Sequence, residues 1–331
     1  MIRVATSTGR PARAAFLGAG SMGTALANAA AGAGRDVILW TSDAELAPAL
    51  AASRRHPRFT DWSLAPGLAV TTDLADAIAG AELVVVAVHS TEVRALAERL
   101  RPLLARHQVV LSATKGLELP TLYRMSEVLA EVAGAAIVGA IGGPNITSEI
   151  ARRELSALVV AVADEPSRAC AARWLETDRL RVRTSADLRS IELVAVLKNV
   201  VAIAVGIATG LELGYNARSM LLADGLAEIQ RLGAQLGADP AAFAGMAGIA
   251  DLYLTSTCPQ SGNRRLGIEL GRGRRLEEIA AELPEVPEGI GAVRGCRALA
   301  RRHGLELPIA DAVAQILDGE LPAGRMQDAL A

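Results

Sequence analysis

The chain has 331 residues, more than the ~150 of a typical single domain, which predicts two domains. Its 34 Lys and Arg nearly balance its 36 Asp and Glu, and the formal net charge of -2 leaves no basic excess for binding nucleic acid or a membrane surface. Three scattered cysteines without CxxC spacing, Cys170, Cys258 and Cys296, indicate neither a disulfide framework nor a zinc site. The N-terminus lacks the apolar core of a secretion signal, and the apolar stretch around 200–213 is too short to span a bilayer. We therefore expect a cytoplasmic globular protein that binds a small molecule and no metal.

The first 189 residues alternate short apolar runs with Ala- and Leu-rich helical segments. Several runs are β-branched and apolar throughout, as expected for parallel strands covered on both faces. The predicted strands are 14–17, 37–40, 83–88, 109–112, 136–141 and 158–162. Strand–helix alternation with compact connections predicts a doubly wound α/β sheet over residues 1–189.

Residues 190–331 contain no convincing strand pattern and are punctuated by Gly and Pro. Helices are predicted over 191–213, 217–236, 240–248, 276–281, 291–303 and 308–318. The second domain is therefore expected to be all-α.

The first predicted strand is followed by Gly18-Ala-Gly20-Ser-Met-Gly23, a GxGxxG sequence that runs directly into a helix. In this context Gly18 permits a tight turn, Gly20 lets the backbone approach a pyrophosphate, and Gly23 lets the helix pack on the strand. The diphosphate would bind at the helix N-terminus, where unpaired N–H groups favour anions. The alternative is a simple tight turn without a ligand.

Ser42 and Asp43 follow the second predicted strand, where the adenosine ribose of a dinucleotide would lie. Asp43 is suited to accept a hydrogen bond from a ribose 2′-hydroxyl, which would favour NAD over NADP. A helix N-cap is an equally good explanation of Asp43, because Asp caps helices well.

Only two of the 34 basic residues are lysines, Lys115 and Lys198. Unlike Arg, Lys can release a proton when burial lowers its pKa. Lys198 lies in an apolar helical segment, so we expect burial, the alternative being a side chain that extends to the surface. Lys115 follows the C-terminal end of a predicted strand, where open α/β sheets bind ligands.

Three further segments carry polar groups suited to a substrate. Asp251 and Thr255 lie four residues apart, on one face of a helical turn, and Asp251 is placed to orient the Lys198 ammonium; the alternative is ordinary helix surface. Residues 261–265 form a polar, cationic turn suited to an anion, the alternative being a solvated loop. The Gly142–Asn145 sequence can bring backbone N–H groups close to a ligand.

Taken together, these residues resemble the bacterial NAD(P)-dependent sn-glycerol-3-phosphate dehydrogenase family. The similarity runs from about residue 14 to 320, through GAGSMGTALA, VILW, SATKGLE, GGPN, LKNV, AGIADLYLT, GNRRLG and VPEGI in the family's order. The resemblance implies a Rossmann-type domain followed by an α-helical domain of the 6-phosphogluconate-dehydrogenase type. It also implies a homodimer and hydride exchange between NAD(P)H and C2 of dihydroxyacetone phosphate or glycerol 3-phosphate.

The resemblance identifies Lys198 as the catalytic lysine with Asp251 beside it. The predicted substrate-binding residues are Lys115, Gly143, Asn145, Thr255, Ser261, Asn263 and Arg264. The predicted cofactor-binding residues are Gly18, Gly20, Ser21, Met22, Gly23, Ser42, Asp43, Lys115, Thr147, Val286 and Glu288. In the mechanism this implies, Lys198 stabilises and protonates the oxygen that gains negative charge as the carbonyl carbon accepts hydride.

The sequence departs from the family pattern mainly where the substrate's anion would bind. Gly262 stands where the family has an arginine that meets the substrate phosphate, and Asn145 and Thr147 replace smaller residues. Other departures are Met22 for an aromatic residue, Ser42 for the Arg associated with the NADPH 2′-phosphate, and Asp224 for an Arg. Two alternatives follow: a family member that reduces a different small ketone in a specialised biosynthetic pathway, and a dinucleotide-sensing protein without turnover.

Overall fold

The computed structural model describes residues 12–57, 62–135, 137–282 and 287–330. The chain divides into two compact units: unit 1 holds the chain up to Thr114 together with Met125–Leu188, and unit 2 holds Lys115–Arg124 together with Arg189 onward. The chain passes into unit 2 for the last time after Leu188. The segment Lys115–Arg124 belongs to unit 2, where both of its charged ends pair with side chains.

Unit 1 contains one eight-stranded sheet with the strand order β3-β2-β1-β4-β5-β6-β7-β8. The strands are β1 Arg13–Leu17, β2 Val37–Trp40, β3 Leu68–Thr71, β4 Ala81–Val86, β5 Val109–Ser112, β6 Ile137–Gly142, β7 Ser156–Val162 and β8 Leu180–Ser185. All neighbours pair in parallel except β6 and β7. The doubly wound fold is confirmed, although the sequence did not indicate β3 and β8. Residue 136, the first of the fifth predicted strand, lies outside the described residues.

Helices cover both faces of this sheet. They are α1 Ser21–Gly32, α2 Leu46–Ser53, α3 Leu74–Ile78, α4 Val93–Leu100, α5 Met125–Val132, α6 Thr147–Ala151 and α7 Glu165–Leu175, with a 3-10 turn at Ser90–Glu92. Successive strand residues enter opposite apolar clusters: Ala14 and Phe16 lie in one, and Ala15 and Leu17 in the other. This burial on both faces explains why the central strands are apolar throughout.

From Arg189 onward, the described secondary structure of unit 2 is helical. Its helices are α8 Leu188–Gly210 (the first residue still in unit 1), α9 Tyr215–Gln235, α10 Pro240–Ala244, α11 Asp251–Thr257, α12 Gly262–Gly271, α13 Leu276–Glu282, α14 Gly289–His303 and α15 Pro308–Leu317. A π-helical turn at Met246–Ala250 leads into α11, and a 3-10 segment covers Ala323–Leu330. Residues 261–265, predicted as a turn, instead begin α12, because the Ser261 side chain caps the helix by accepting from the Arg264 backbone N–H.

Helix α8 corrects one expectation from the sequence. It has 23 residues and a mean hydropathy of 2.1 in its most apolar window, so its length and composition would allow it to cross a membrane. All of that window is buried within the protein, as expected for a core helix. It contacts α12 through glycines at four-residue spacing: a Cβ at Gly206 or Gly210 would lie 2.5 or 2.1 Å from an α12 carbonyl oxygen. This close approach fixes α12 against the helix that carries Lys198.

Candidate active site and dinucleotide site

The turn between β1 and α1 has the geometry that the GxGxxG sequence predicts. Gly18 has φ +112°, and a Cβ there would lie 2.4 Å from the Ala87 carbonyl oxygen. A Cβ on Gly23 would lie 2.0 Å from the Gly18 carbonyl oxygen, so helix and turn touch backbone to backbone. Helix α1 begins at Ser21, and Gly20 before it provides no side-chain cap for the first N–H groups. These uncapped donors and the glycine-lined approach fit a dinucleotide diphosphate.

The end of β2 leaves both explanations of Asp43 in place. Ser42 and Asp43 are exposed. Asp43 Oδ1 accepts from the backbone N–H groups of Glu45, at 2.9 Å, and Leu46, at 3.0 Å, so this carboxylate does act as a local cap before α2. The contact with a ribose hydroxyl stays a prediction.

The loop after β6 contains an unsatisfied polar atom. Gly143 adopts φ +96°, and Asn145 Nδ2 donates to the Gly142 carbonyl oxygen at 3.3 Å. The Oδ1 atom of Asn145 is buried and has no hydrogen-bond partner among the described residues. Thr147, half-buried, begins α6 two residues later. This acceptor is therefore available to a hydrogen-bond donor of a ligand.

The two lysines of the chain meet on one carboxylate in unit 2. Lys198 Nζ donates to Asp251 Oδ1 at 2.9 Å, and Lys115 Nζ donates to Asp251 Oδ2 at the same distance. Lys198 also donates to Thr255 Oγ1 at 2.5 Å, and that hydroxyl lies 2.7 Å from the Asp251 carbonyl oxygen. Lys198 and Asp251 are 3% and 1% exposed, so the predicted burial of Lys198 and its orientation by Asp251 are confirmed. The structure adds Lys115 to the same carboxylate.

Burial and charge act in opposite directions on this cluster. Burial lowers the pKa of Lys198 from 10.5 to about 8; the Asp251 carboxylate opposes that shift and the Lys115 charge reinforces it. Burial alone would raise the pKa of Asp251, but the charges of Lys115 and Lys198 hold it below its usual value. Asp251 is therefore ionised at neutral pH, while Lys198 gains or loses a proton close to neutrality, which suits an acid–base catalyst.

The π-helical turn before α11 places Asp251 and Thr255. Gly248, within this turn, approaches the end of α10 so closely that a Cβ would lie 2.1 Å from the Phe243 carbonyl oxygen. Helix α11 then begins at Asp251, and Thr255 follows one turn later on the same face. Turns of this type inside helices are frequent at functional sites.

Asn263 connects three elements near the lysine cluster. Its Nδ2 donates to Asn199 Oδ1 at 3.0 Å, and its Oδ1 accepts from the Gly289 backbone N–H at 3.0 Å. Asn199 follows Lys198 on α8, and Glu288, which precedes α14, acts electrostatically on Lys198. Sequence reasoning did not find the Asn199 contact, although its position beside Lys198 was a usable signal.

The first turn of α12 holds the remaining predicted anion contacts. Among the residues that the structure describes, the nearest atom to a Cβ on Gly262 would be on Pro287, at 3.8 Å, which is ordinary van der Waals contact. The guanidinium of Arg264 forms no hydrogen bond or ion pair with any residue that the structure describes. It is therefore available to an anion. Val286, predicted to contact the cofactor, lies outside the described residues.

In the part of the chain that the structure describes, no group of three His, Cys, Asp or Glu side chains is arranged to hold a metal ion. The four histidines are not spaced as metal ligands in the sequence.

A glycine-rich turn that fits a dinucleotide diphosphate and a buried lysine–aspartate pair are together typical of a nicotinamide-dependent dehydrogenase that acts on a CH–OH group. Comparison with known proteins identifies the family. Models of the N-terminal and C-terminal domains of NAD-dependent glycerol-3-phosphate dehydrogenase match residues 13–168 and 187–328. The chain belongs to this family.

Individual relatives are similar to this protein over nearly the whole chain. A glycerol-3-phosphate dehydrogenase [NAD(P)+] of Salinibacter ruber is 42% identical over 310 residues, covering 91% of this chain and 89% of the relative. One from Streptomyces coelicolor is 41% identical over 317 residues, covering 95% and 94%. The crystal structure of glycerol-3-phosphate dehydrogenase from Coxiella burnetii matches with a TM-score of 0.90 and 32% identity, over 96% of this chain and 97% of that one.

Proposed function

We propose that this protein catalyses the NAD(P)H-dependent interconversion of dihydroxyacetone phosphate and sn-glycerol 3-phosphate. The family and the relatives support this reaction. The observation that carries the proposal is the Lys198 ammonium: buried, held by Asp251 and Thr255, with its pKa lowered to about 8. Binding a dinucleotide without turnover would not require such a group, which argues against the alternative of a sensing protein.

The residues of unit 2 supply the proton and the charge. In the reducing direction the substrate carbonyl oxygen gains negative charge, and Lys198 stabilises this oxygen and donates a proton to it. Asp251 holds the Lys198 ammonium in place through Oδ1 and keeps Lys115 nearby through Oδ2. Thr255 fixes Lys198 from a second side. In the oxidising direction the neutral Lys198 amine takes the proton from the hydroxyl.

A bound nicotinamide dinucleotide supplies the hydride. The residues of unit 1 that would hold it are the β1–α1 turn, Gly18–Gly23, with Ser42 and Asp43 at the adenosine ribose. The absence of an Arg at 42 supports NADH as the preferred cofactor. Thr147 is a further proposed cofactor contact of unit 1, whereas Lys115, Val286 and Glu288 are cofactor contacts on the resemblance alone.

The test is steady-state oxidation of NADH and of NADPH with dihydroxyacetone phosphate as the acceptor, measured across pH. With Lys198 as the proton donor, kcat for reduction should fall above about pH 8, where the amine loses its proton. Oxidation of glycerol 3-phosphate should instead rise across the same range. No turnover of either phosphorylated compound with either cofactor would refute the proposed reaction.

A second candidate function is the reduction of a small ketone without a phosphate group. The observation that favours it is Gly262, which provides no guanidinium where the resemblance places a phosphate contact. The candidate predicts that Gly262→Arg raises kcat/KM for the phosphorylated triose and lowers it for the non-phosphorylated ketone. If the unmodified protein already prefers the phosphorylated triose, this second candidate is refuted.

The homodimer and the cytoplasmic location expected from the sequence belong to the same proposal. Large apolar side chains exposed in unit 2, such as Tyr215 at 82% and Tyr253 at 64%, are consistent with a further contact surface. Light scattering of the purified protein tests the dimer, and cell fractionation tests the location.

A further inference from the structure

The segment Lys115–Arg124 leaves unit 1 and returns to it. The chain passes from unit 1 to unit 2 after Thr114 and re-enters unit 1 at Met125. The two arms of the segment pair with each other: Leu117 and Arg124 form an antiparallel bridge, and the Glu118 N–H donates to the Tyr123 carbonyl oxygen at 2.9 Å. We call this segment the 115–124 hairpin.

Three contacts attach the 115–124 hairpin to the helices of unit 2. At its start, Lys115 donates to Asp251. Behind it, Leu117 is 4% exposed and fits against Gly295 of α14, where a Cβ would lie 2.9 Å from the leucine side chain. At its end, the Arg124 guanidinium donates to Glu192 Oε2 at 2.8 Å. The hairpin is therefore fixed at both ends by charge and between them by an apolar contact.

Glu192 binds the hairpin from the same helix that carries the catalytic lysine. It lies on α8 six residues before Lys198, which is about 9 Å along one helix. The side chains of Arg124 and Glu192 are 12% and 7% exposed, so solvent screens this pair far less than the exposed ion pairs of the surface. Removing one partner would leave a poorly solvated charge, and we expect the other to move away.

We propose that the Arg124–Glu192 ion pair is a positioning pair for the reaction: it fixes the 115–124 hairpin on α8 and so keeps the Lys115 ammonium on Asp251, beside Lys198. This inference rests on the proposed function, because it assigns the pair a role in that same site. The pair lies at the opposite end of the hairpin from Lys115, and in this proposal it acts through Lys115.

The charges around Lys198 provide a specific readout of this role. Three charged groups act on the pKa of Lys198. The carboxylates of Asp251, on α11, and Glu288, before α14, raise it, and the Lys115 ammonium of the hairpin lowers it. If Lys115 is lost or displaced, the pKa of Lys198 should rise. The alkaline limit of the reductase reaction, meaning the pH above which kcat for reduction falls, should then move to higher pH. A loss of stability alone would not move it.

The experiment compares Glu192→Gln, Lys115→Met and the double variant with the unmodified protein. Glu228→Gln is the matched control, because Glu228 is also a buried glutamate of unit 2, 5% exposed, and its carboxylate caps α15 through Ile309 and Ala310 rather than touching the hairpin. Each protein is assayed for reduction of dihydroxyacetone phosphate across pH and for backbone amide hydrogen exchange.

We expect Lys115→Met to move the alkaline limit upward by about one pH unit. Glu192→Gln should move it in the same direction and lower kcat/KM by about 10- to 100-fold, and the double variant should be no worse than Lys115→Met alone. A further variant, Arg124→Lys, keeps the positive charge opposite Glu192 but forms fewer hydrogen bonds, so it should lose less activity than Glu192→Gln. Glu228→Gln should keep the limit of the unmodified protein.

Three results would overturn the positioning role, and two of them are kinetic. One is a Glu192→Gln protein with an unchanged pH limit; the other is a double variant whose losses are the product of the two single losses. Hydrogen exchange distinguishes failure of the positioning role from failure of the proposed function, because the measurement needs no turnover. Glu192→Gln should speed exchange at residues 117–124, and Glu228→Gln should speed it at the start of α15. Equal exchange of the hairpin in all proteins would also refute the proposal.

Discussion

The β1–α1 turn of unit 1 and the lysine cluster of unit 2 are built from different parts of the polypeptide. The turn uses six consecutive residues, Gly18–Gly23, and offers mainly backbone N–H groups. The cluster joins side chains that are 53 and 136 residues from Asp251 along the chain. Binding by the backbone of the turn requires free space around the glycines and φ angles that other residues rarely adopt. The function of the lysine cluster instead requires the charges of its side chains. Substitutions in the two regions should therefore fail in different ways, and the following predictions test that difference.

The largest effect is expected for Lys198→Met. This change removes the proton donor and should lower kcat by about 10²- to 10⁴-fold. The dissociation constant of NADH, measured by fluorescence, should stay within about 2-fold, because the residues that would hold the dinucleotide in unit 1 are intact. An active Lys198→Met protein would contradict the mechanism and leave the fold assignment intact.

The opposite pattern is expected for Gly18→Val. A side chain at φ +112° and 2.4 Å from the Ala87 oxygen should cost about 1 to 3 kcal/mol and open the turn. NADH binding should weaken by about 5- to 150-fold, while the pH dependence of any remaining activity keeps the profile set by Lys198. Gly34→Val is the control, since Gly34 also has a positive φ but no atom of the described residues lies within 4 Å of its added Cβ. Equal losses of NADH binding in both variants would show that strain alone, and not the turn, is responsible.

An intermediate effect on stability is expected for Glu228→Gln. Both carboxylate oxygens of Glu228 accept backbone N–H groups, from Ile309 at 2.7 Å and Ala310 at 3.1 Å, and Gln keeps only one acceptor oxygen. The free energy of unfolding should fall by about 1 to 3 kcal/mol, measured by urea denaturation. An unchanged midpoint would mean that the start of α15 does not need this cap.

The smallest effect is expected for Asp43→Asn. Asn keeps an acceptor for the Glu45 and Leu46 N–H groups but loses the charge that would face a ribose hydroxyl or repel a 2′-phosphate. The ratio of kcat/KM for NADH over NADPH should fall by about 2- to 10-fold. An unchanged ratio would assign Asp43 to the local cap alone.

Much of unit 1 could be predicted from the sequence because its central strands are apolar on both faces. The two strands that were missed, β3 and β8, are the edges of the sheet. In β8 the apolar residues alternate with Arg181 and Arg183, and its burial is correspondingly mixed. Edge strands face neighbours on one side only, so their sequences lack the continuous apolar run used to find the others.

The site of unit 2 could be predicted only in part. A helical spacing of four suggested that Asp251 and Thr255 share a face, and the apolar surroundings of Lys198 indicated its burial; both are confirmed. No sequence pattern near Lys115 indicated that it binds the same carboxylate as Lys198, because that contact depends on the segment 115–124 belonging to unit 2. The start of α12 was predicted as a turn because Gly262 and Asn263 have low helix propensity.

The 115–124 hairpin also means that the chain passes between the units at three places, after Thr114, after Arg124 and after Leu188. A gene divided at residue 189 would therefore not encode two self-sufficient halves. The C-terminal product would lack the ammonium that binds Asp251 Oδ2, and the N-terminal product would carry an arm without its docking surface. Chimeras that exchange the helical unit between relatives should take residues 115–124 from the same parent as α8.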